Sequence, residues 1–274
     1  MFSDTPTDPT RRITSSDDLE VSAYLEIAQE KVGRGSPEQS SHAPQRESLL
    51  IIDFGSQYSR LIARRIRESK VYCEIIPHSS TWDTVKELNP KGIILSGGPS
   101  SVYDDNAPLA PTWVYESGLP VLGICYGMQA MVHQLGGKVA PANKREYGHA
   151  VLHQNSSNEP ILSGLPTSLP VWMSHADQIT ELPPGFSAKA YTDNAPIAVI
   201  GNDNGMLGIQ FHPEVAHTPH GVEIIDNFLY KICGMGKFWT SGNFVRESIA
   251  RIREQVGDGK VICALSGGVD SAVA

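Results

Sequence analysis

Long apolar runs are missing from this 274-residue sequence, and none approaches the roughly 20 residues that a membrane-spanning helix requires. The segment Met1–Arg12 is polar and lacks the apolar centre of a secretion signal. The expectation is a cytoplasmic protein with no membrane partner. Basic charge is also short: Lys and Arg number 22 against 30 Asp and Glu, a net charge of -8. No global positive field exists to gather DNA or RNA, so no nucleic-acid partner is expected. Cysteine is scarce, and Cys73, Cys125, Cys233 and Cys263 are too scattered for the paired spacing of a zinc clamp. A disulfide framework is equally unexpected in a chain this large without a secretion signal, and no metal site is expected. What remains is 40% hydrophobic, enough for one sizeable core and part of a second.

Residues 1–47 are rich in Ser, Thr, Pro, Asp and Gln and cannot bury enough apolar surface to offset the entropy of ordering, so they are predicted to form a disordered tail. Within it, Leu19, Tyr24, Leu25, Ile27 and Ala28 recur at near-helical spacing, which predicts one short amphipathic helix over Asp17–Lys31. From Leu49 the pattern changes to short apolar runs alternating with helical periodicity. Strands are predicted at 49–52, 72–76, 92–95 and 120–124, and helices at 58–67, 81–88 and 127–135. This is the signature of an α/β fold, a doubly wound, mostly parallel sheet with flanking helices, in which ligands gather at the carboxyl ends of strands. Residues 138–208 carry strand-like runs at 150–152, 171–173 and 197–200 separated by turn residues, and read as antiparallel. An amphipathic helix over 222–232, ended by Gly234, closes a domain spanning 48–234. Residues 235–274 then supply a linker, a helix over 244–256 and a strand over 260–265, the start of a second domain.

In "PVLGICYGMQAM" a strand runs directly into a helix with Cys125 at the junction, flanked by Gly123 and Gly127. That is the strand–turn–helix elbow that exposes a nucleophile, written G-x-C-x-G. Unpaired N–H groups and the dipole at the helix start favour a thiolate there. Taken alone, Cys125 reads more readily as an inert buried cysteine than as a nucleophile. Two further stretches bear on it. In "GMLGIQFHPEV", His212 and Glu214 stand two residues apart at a predicted strand end and project together as a base and its orienter, although any solvated strand end offers the same pair. In "GIILSGGPSS", Gly98 follows a buried strand. Its N–H, with that of Tyr126 after the nucleophile, makes a two-donor oxyanion hole, and an ordinary Gly-Gly-Pro turn is the alternative. Asp53-Phe54-Gly55 invites a kinase reading, but no companion lysine or His-Arg-Asp sequence accompanies it.

Gly97-Gly98-Pro99, Gly-Ile-Cys-Tyr-Gly-Met-Gln at 123–129 and Phe211-His212-Pro213-Glu214, in this order and spacing, resemble the class I glutamine amidotransferases over roughly residues 49–234. Within that family "DFGSQY" (53–58), "REYGHA" (145–150) and "VWMSHADQI" (171–179) look like the branch that aminates xanthosine monophosphate. The resemblance implies that Cys125 attacks the side-chain amide of glutamine, His212 shuttles protons, Glu214 orients His212, and Gly98 and Tyr126 hold the oxyanion. It implies that Gln129, Ser174 and His175 contact the substrate, although His175 and Asp177 also read as a satisfied polar pair in a loop. Where the family has Ser-His-Gly-Asp this chain has Ser174-His175-Ala176-Asp177, so a positive φ at Ala176 would carry a penalty.

The run Ser266-Gly267-Gly268-Val269-Asp270-Ser271 follows the last predicted strand and would form an anion-binding nest at a helix start, without the Gly-Lys-Ser/Thr ending of a Walker loop. By itself it is a bare Ser/Gly turn. It resembles the pyrophosphate-binding loop of ATP pyrophosphatases, which implies ATP and Mg²⁺ as cofactors, xanthosine monophosphate as acceptor, and a synthetase domain of which this chain holds only the beginning. A homodimer of the full-length protein is compatible with the resemblance. Two other functions stay open on these residues, an amidotransferase serving a different synthetase and a glutamine-binding module without turnover.

Overall fold

In the computed structural model, residues 47–262 are described apart from 157–158. The proposed helix at 17–31 and the loop at 266–271 lie outside them, as does most of the strand expected at 260–265. The chain divides into two compact units between Phe238 and Trp239.

The larger unit is built on one nine-stranded sheet. Its parallel part is β1 (Ser48–Asp53), β2 (Cys73–Pro77), β3 (Pro90–Leu95), β4 (Val121–Ile124) and β9 (Met206–Ile209). These lie in the order β2-β1-β3-β4-β9, all parallel to their neighbours. The antiparallel part is β5 (Lys138–Gln154), β6 (Ser168–Glu181), β7 (Ser187–Tyr191) and β8 (Val199–Gly201). It continues the sheet from β9 in the order β8-β7-β5-β6. The sheet is therefore mixed, with the expected parallel order in one part and an antiparallel extension of equal weight in the other.

Strand β1 shows why the parallel part forms. Leu49, Leu50, Ile51 and Ile52 are all fully buried, because successive side chains face opposite sides of a sheet covered on both. Leu49 and Ile51 join one core with Ile62, Ile66, Ile224 and Phe228, while Leu50 and Ile52 join the other with Leu95, Met128 and Val132. The first core is covered by α1 (Ser59–Glu68), which buries Ile62, Ala63 and Ile66. Two short helices follow in the chain, α2 (Trp82–Val85) and α3 (Trp113–Glu116). The second core is covered by α4 (Tyr126–Gln134), whose residues from Tyr126 to Val132 are buried all round, as a helix wedged into an interior must be.

The closing helix expected over 222–232 is present in two parts. A helix α5 (Gly221–Asp226) passes at Asn227 into a π-helical segment, Asn227–Ile232. The change coincides with Asn227, whose side-chain amide donates to the carbonyls of Ile161 (3.1 Å) and Ser163 (2.9 Å). In the smaller unit, α6 (Ser241–Val256) begins earlier than the expected residue 244, because the Thr240 hydroxyl accepts from Asn243 N–H at 3.1 Å and caps it.

Candidate active site

The parallel order places two loops side by side, the one after β1 and the one after β3, at the point where the strand sequence reverses direction from β2 to β3. Ser96 ties them together, its N–H donating to Ile52 O at 3.0 Å and its hydroxyl accepting from Phe54 N–H at 3.1 Å. Beside the first of these loops opens a cleft of about 760 Å³ lined by Asp53, Gly55, Ser56, Arg60 of α1 and Ile75 of β2 among others. Strand β4, next to β3, ends at Ile124, and the following residue is Cys125.

Cys125 adopts φ 51°, ψ −107°, outside even the left-handed helical region, and is one of four non-glycine residues with positive φ among those described. Its N–H is anchored to Ile209 O on β9 at 2.8 Å, so the sheet fixes the turn from both sides. The elbow needs α4 to start immediately against β3. An added Cβ at Gly127 would sit 2.3 Å from Leu95 O, so only glycine permits the approach. The sulfur is nearly enclosed, with 6% of the residue exposed.

His212 follows β9 and presents its ring to this sulfur. Nδ1 binds Glu214 Oε1 at 2.7 Å, which leaves Nε2 as the nitrogen for Cys125. The pair does not arise from strand pleating as expected: β9 ends at Ile209, and His212 and Glu214 stand in the bent segment beyond it, on either side of Pro213. That segment is fastened on all sides. His212 N–H donates to Trp172 O at 3.0 Å, and the Thr218 hydroxyl donates to His212 O at 2.6 Å. Arg65 of α1 donates through Nε to Glu214 O at 3.0 Å. The Tyr58 ring meets the imidazole edge-on at 5.4 Å.

Burial opposes a charged His212, but hydrogen bonds to Cys125 and Glu214 and their negative charge outweigh it and push its pKa up to about 10. The imidazolium is thus the form held beside the sulfur at neutral pH. Glu214 is fully buried and its Oε2 has no partner, so its one strong bond is to His212.

Gly98 and Tyr126, the two residues expected to supply oxyanion donors, are neighbours. Tyr126 is the first residue of α4, where an N–H has no intrahelical acceptor. Gly98 packs against its ring, since a Cβ on Gly98 would come within 3.1 Å of Tyr126 Cδ1. Gly97 faces the histidine, with a Cβ there 3.3 Å from His212 Cε1.

Strand β6 forms another wall. Ser174 O accepts from Cys125 Sγ at 3.6 Å. His175 and Asp177 lie inside β6 on its buried side, not in a loop, and are bonded within the protein. His175 Nδ1 meets Asp177 O at 2.9 Å and Nε2 meets Glu146 Oε2 at 3.2 Å. Asp177 accepts from the hydroxyls of Ser101 and Tyr103. Gln129, one turn into α4, donates through Nε2 to Asp177 O at 3.1 Å and to Gln210 Oε1 at 3.2 Å. Ala176 is not among the residues with positive φ, so alanine carries no backbone penalty there.

Sequence reasoning missed Glu146 and Gln210. Glu146 gathers His175 of β6 and, from the turn after β7, the Thr192 hydroxyl (3.1 Å) and Asn194 Nδ2 (3.2 Å), which no local spacing announces. Gln210 donates through Nε2 to Cys125 Sγ at 3.6 Å. The available signal was its polarity between buried Ile209 and Phe211.

A thiol on a strained elbow, beside an imidazole with a buried carboxylate behind it, is an arrangement suited to acyl transfer through a thiol. The model of the family described as glutamine amidotransferase class-I matches residues 50–232. A Dehalococcoides mccartyi (strain CBDB1) protein named GMP synthase [glutamine-hydrolyzing] is 60% identical over 250 residues, covering 91% of this chain and 47% of its own length. A protein of the same name from Thermomicrobium roseum is 56% identical over 232 residues, covering 85% and 44%. The chain thus spans about half the length of the curated relatives it matches. Among solved structures, a GMP synthase subunit from Thermoplasma acidophilum superposes with TM-score 0.63 and 29% identity, over 75% of this chain and 100% of that one. A Thermotoga maritima glutamine amidotransferase shares the fold, with TM-score 0.50 and 21% identity over 78% of this chain and 94% of its own. With the matched region enclosing the elbow and its histidine, the chain belongs to the class I glutamine amidotransferases.

Proposed function

We propose that this chain is the glutamine-hydrolysing part of a GMP synthase, with residues 48–234 as the amidotransferase domain and 235–274 as linker and start of the synthetase domain. The observation that carries the reading is the Cys125–His212–Glu214 arrangement, with its 2.7 Å carboxylate–imidazole bond and the sulfur on a strained turn.

Cys125 Sγ attacks the side-chain carbonyl carbon of glutamine, and the carbonyl oxygen takes the negative charge against the N–H groups of Gly98 and Tyr126. His212 gives its proton to the departing nitrogen, ammonia leaves, and a γ-glutamyl thioester remains on the sulfur. Neutral His212 then takes a proton from water, whose oxygen attacks the thioester. Glutamate departs and the thiolate–imidazolium pair returns. Glu214 holds the ring with Nε2 toward the sulfur throughout and stabilises the charged form. Gln129 and the backbone at Ser174 and His175 orient the substrate.

The ammonia would serve ATP-dependent amination of xanthosine monophosphate, the chemistry that the relatives' name implies. ATP and Mg²⁺ would be used by the synthetase domain. Among the described residues no group of three or more His, Cys, Asp or Glu could hold a metal ion, and no step of glutamine hydrolysis runs through one.

The full-length protein with ATP, Mg²⁺ and xanthosine monophosphate should release glutamate from glutamine, and Cys125→Ala should abolish that release while amination from free ammonium persists. Glutamate release that survives Cys125→Ala would refute the hydrolysis mechanism. Failure of ammonium-driven amination would refute the acceptor.

A further inference from the structure

Four groups touch or face the sulfur of Cys125. His212 supplies a donor, Ser174 O an acceptor, the α4 terminus its backbone N–H groups, and Gln210 a carboxamide. Gln210 is 1% exposed, between Ile209 and Phe211, which are fully buried. Burying an amide there is costly unless its bonds are made.

The direction of those bonds is fixed by a backbone carbonyl that can only accept. Asp177 O accepts a hydrogen bond from Gln129 Nε2, so the amide nitrogen of Gln129 faces β6. The same nitrogen donates to Gln210 Oε1, so the oxygen of Gln210 faces Gln129 and its NH₂ faces the sulfur at 3.6 Å. Turning the Gln210 amide over would set NH₂ against NH₂ on one side and oxygen against sulfur on the other. The relay therefore has one low-energy sense, Asp177 to Gln129 to Gln210 to Cys125.

Its chemical effect follows from the opposite preferences of the two groups at the sulfur. Ser174 O accepts from a thiol and repels a thiolate, whereas the Gln210 N–H donates to a thiolate and gains little from a thiol. The titratable and charged groups linked to the partners of the sulfur are His212, with Glu214, Tyr58 and Arg65 against that segment, and, on β6 and β5, His175, Asp177 and Glu146, which are hydrogen-bonded to one another or to neighbouring residues. We propose that Gln210 is a further catalytic residue: its carboxamide, oriented by Gln129 from the Asp177 carbonyl, donates to Cys125 Sγ and holds the sulfur as a thiolate facing the substrate. This rests on Cys125 being the nucleophile of glutamine hydrolysis, and it adds a second side-chain donor to the one that His212 supplies.

The test follows Cys125 alkylation by iodoacetamide from about pH 5 to about pH 10 in wild type, Gln210→Leu and Gln210→Glu, with Cys125→Ser as the blank for other thiols. Steady-state glutamate release and thermal melting accompany each variant. Gln210→Leu removes the donor and should raise the pH of half-maximal alkylation by about one unit, with kcat down about tenfold and KM moved less than about threefold, the lower end of what a charge-assisted hydrogen bond contributes. Gln210→Glu keeps the size and the acceptor toward Gln129 but sets a carboxylate against the sulfur, and should raise the half-reaction pH further. If Gln210→Leu does not melt cooperatively, Gln210→Glu decides the question alone. A half-reaction pH that coincides with wild type in the folded variants overturns the role of Gln210. A wild-type protein that alkylates with the expected pH profile but releases no glutamate overturns the hydrolysis reading instead.

Discussion

Gly127→Ala probes the elbow most sharply, because its consequence is readable from one distance. The new methyl carbon would lie 2.3 Å from Leu95 O and 2.7 Å from Leu95 C, against a closest real approach of about 3.0 Å, so the backbones of α4 and β3 must separate by at least ~0.7 Å. Neither partner yields easily. Leu95 is fully buried in β3 and paired with both neighbouring strands, and α4 is enclosed by the second core. Overpacking of this kind costs ~1–3 kcal/mol, a fall of roughly 3–10 °C in Tm for a domain of this size. The functional cost is separable. The separation moves Tyr126, the proposed source of one oxyanion donor, away from the loop that carries Gly98, and a displacement approaching 1 Å should lower kcat by on the order of 10- to 100-fold. Thermal unfolding and glutamate release measure the two effects independently. A Gly127→Ala protein with wild-type Tm and glutamate release within about twofold of wild type would show that the helix does not start against the strand as described.

Glu214→Gln keeps the shape beside His212 but removes the charge that favours the imidazolium. Glutamate release should fall by on the order of 10²–10⁴-fold, as when a triad loses its orienting carboxylate, with KM little changed. The same variant reports on stability. Hydrogen bonds and negative charge from Cys125 and Glu214 push the His212 pKa up from the ordinary 6.5 to about 10 on folding, so its contribution should be complete below about 6.5 and lost as pH rises through about 10. Denaturant unfolding at several pH values should show wild type losing stability across that window and Glu214→Gln losing much less; parallel curves would contradict the coupling. Glu146→Ala removes the partner of His175 Nε2, the Thr192 hydroxyl and Asn194 Nδ2, and should cost ~2 kcal/mol or more, since the first two residues are buried and each unsatisfied buried group costs ~1–3 kcal/mol. A change in unfolding free energy below about 1 kcal/mol would place those donors in contact with water instead.

The parallel part of the fold was legible because strands such as Leu49–Ile52, buried on both faces, read as unbroken apolar runs. Cys125 was legible because the glycines on either side are demanded by close contacts, a Cβ at Gly123 lying 2.6 Å from Met128 N and one at Gly127 2.3 Å from Leu95 O. The long β5–β6 hairpin surfaced only as fragments at 150–152 and 171–173. Its buried face carries Glu146, His175 and Asp177, whose polarity breaks the alternation, and the bonds that pay for their burial come from Ser101, Tyr103, Thr192 and Asn194, far away in sequence. The His212–Glu214 pair was found by the wrong geometry, since a pleat two residues long was invoked where a proline-bearing bend provides the approach. Gln210 escaped notice for a related reason. A lone glutamine beside a phenylalanine has no periodic signature, and its meaning appears only when Gln129 and Cys125 are brought to it.

The most direct experiment is to quench the protein in acid during turnover of labelled glutamine and map the bound label by mass spectrometry. Label in thioester linkage on Cys125, absent from Cys125→Ser, is the expected result. Glutamate formed at the wild-type rate in Cys125→Ser, or label carried on another residue, would contradict a Cys125–His212–Glu214 mechanism.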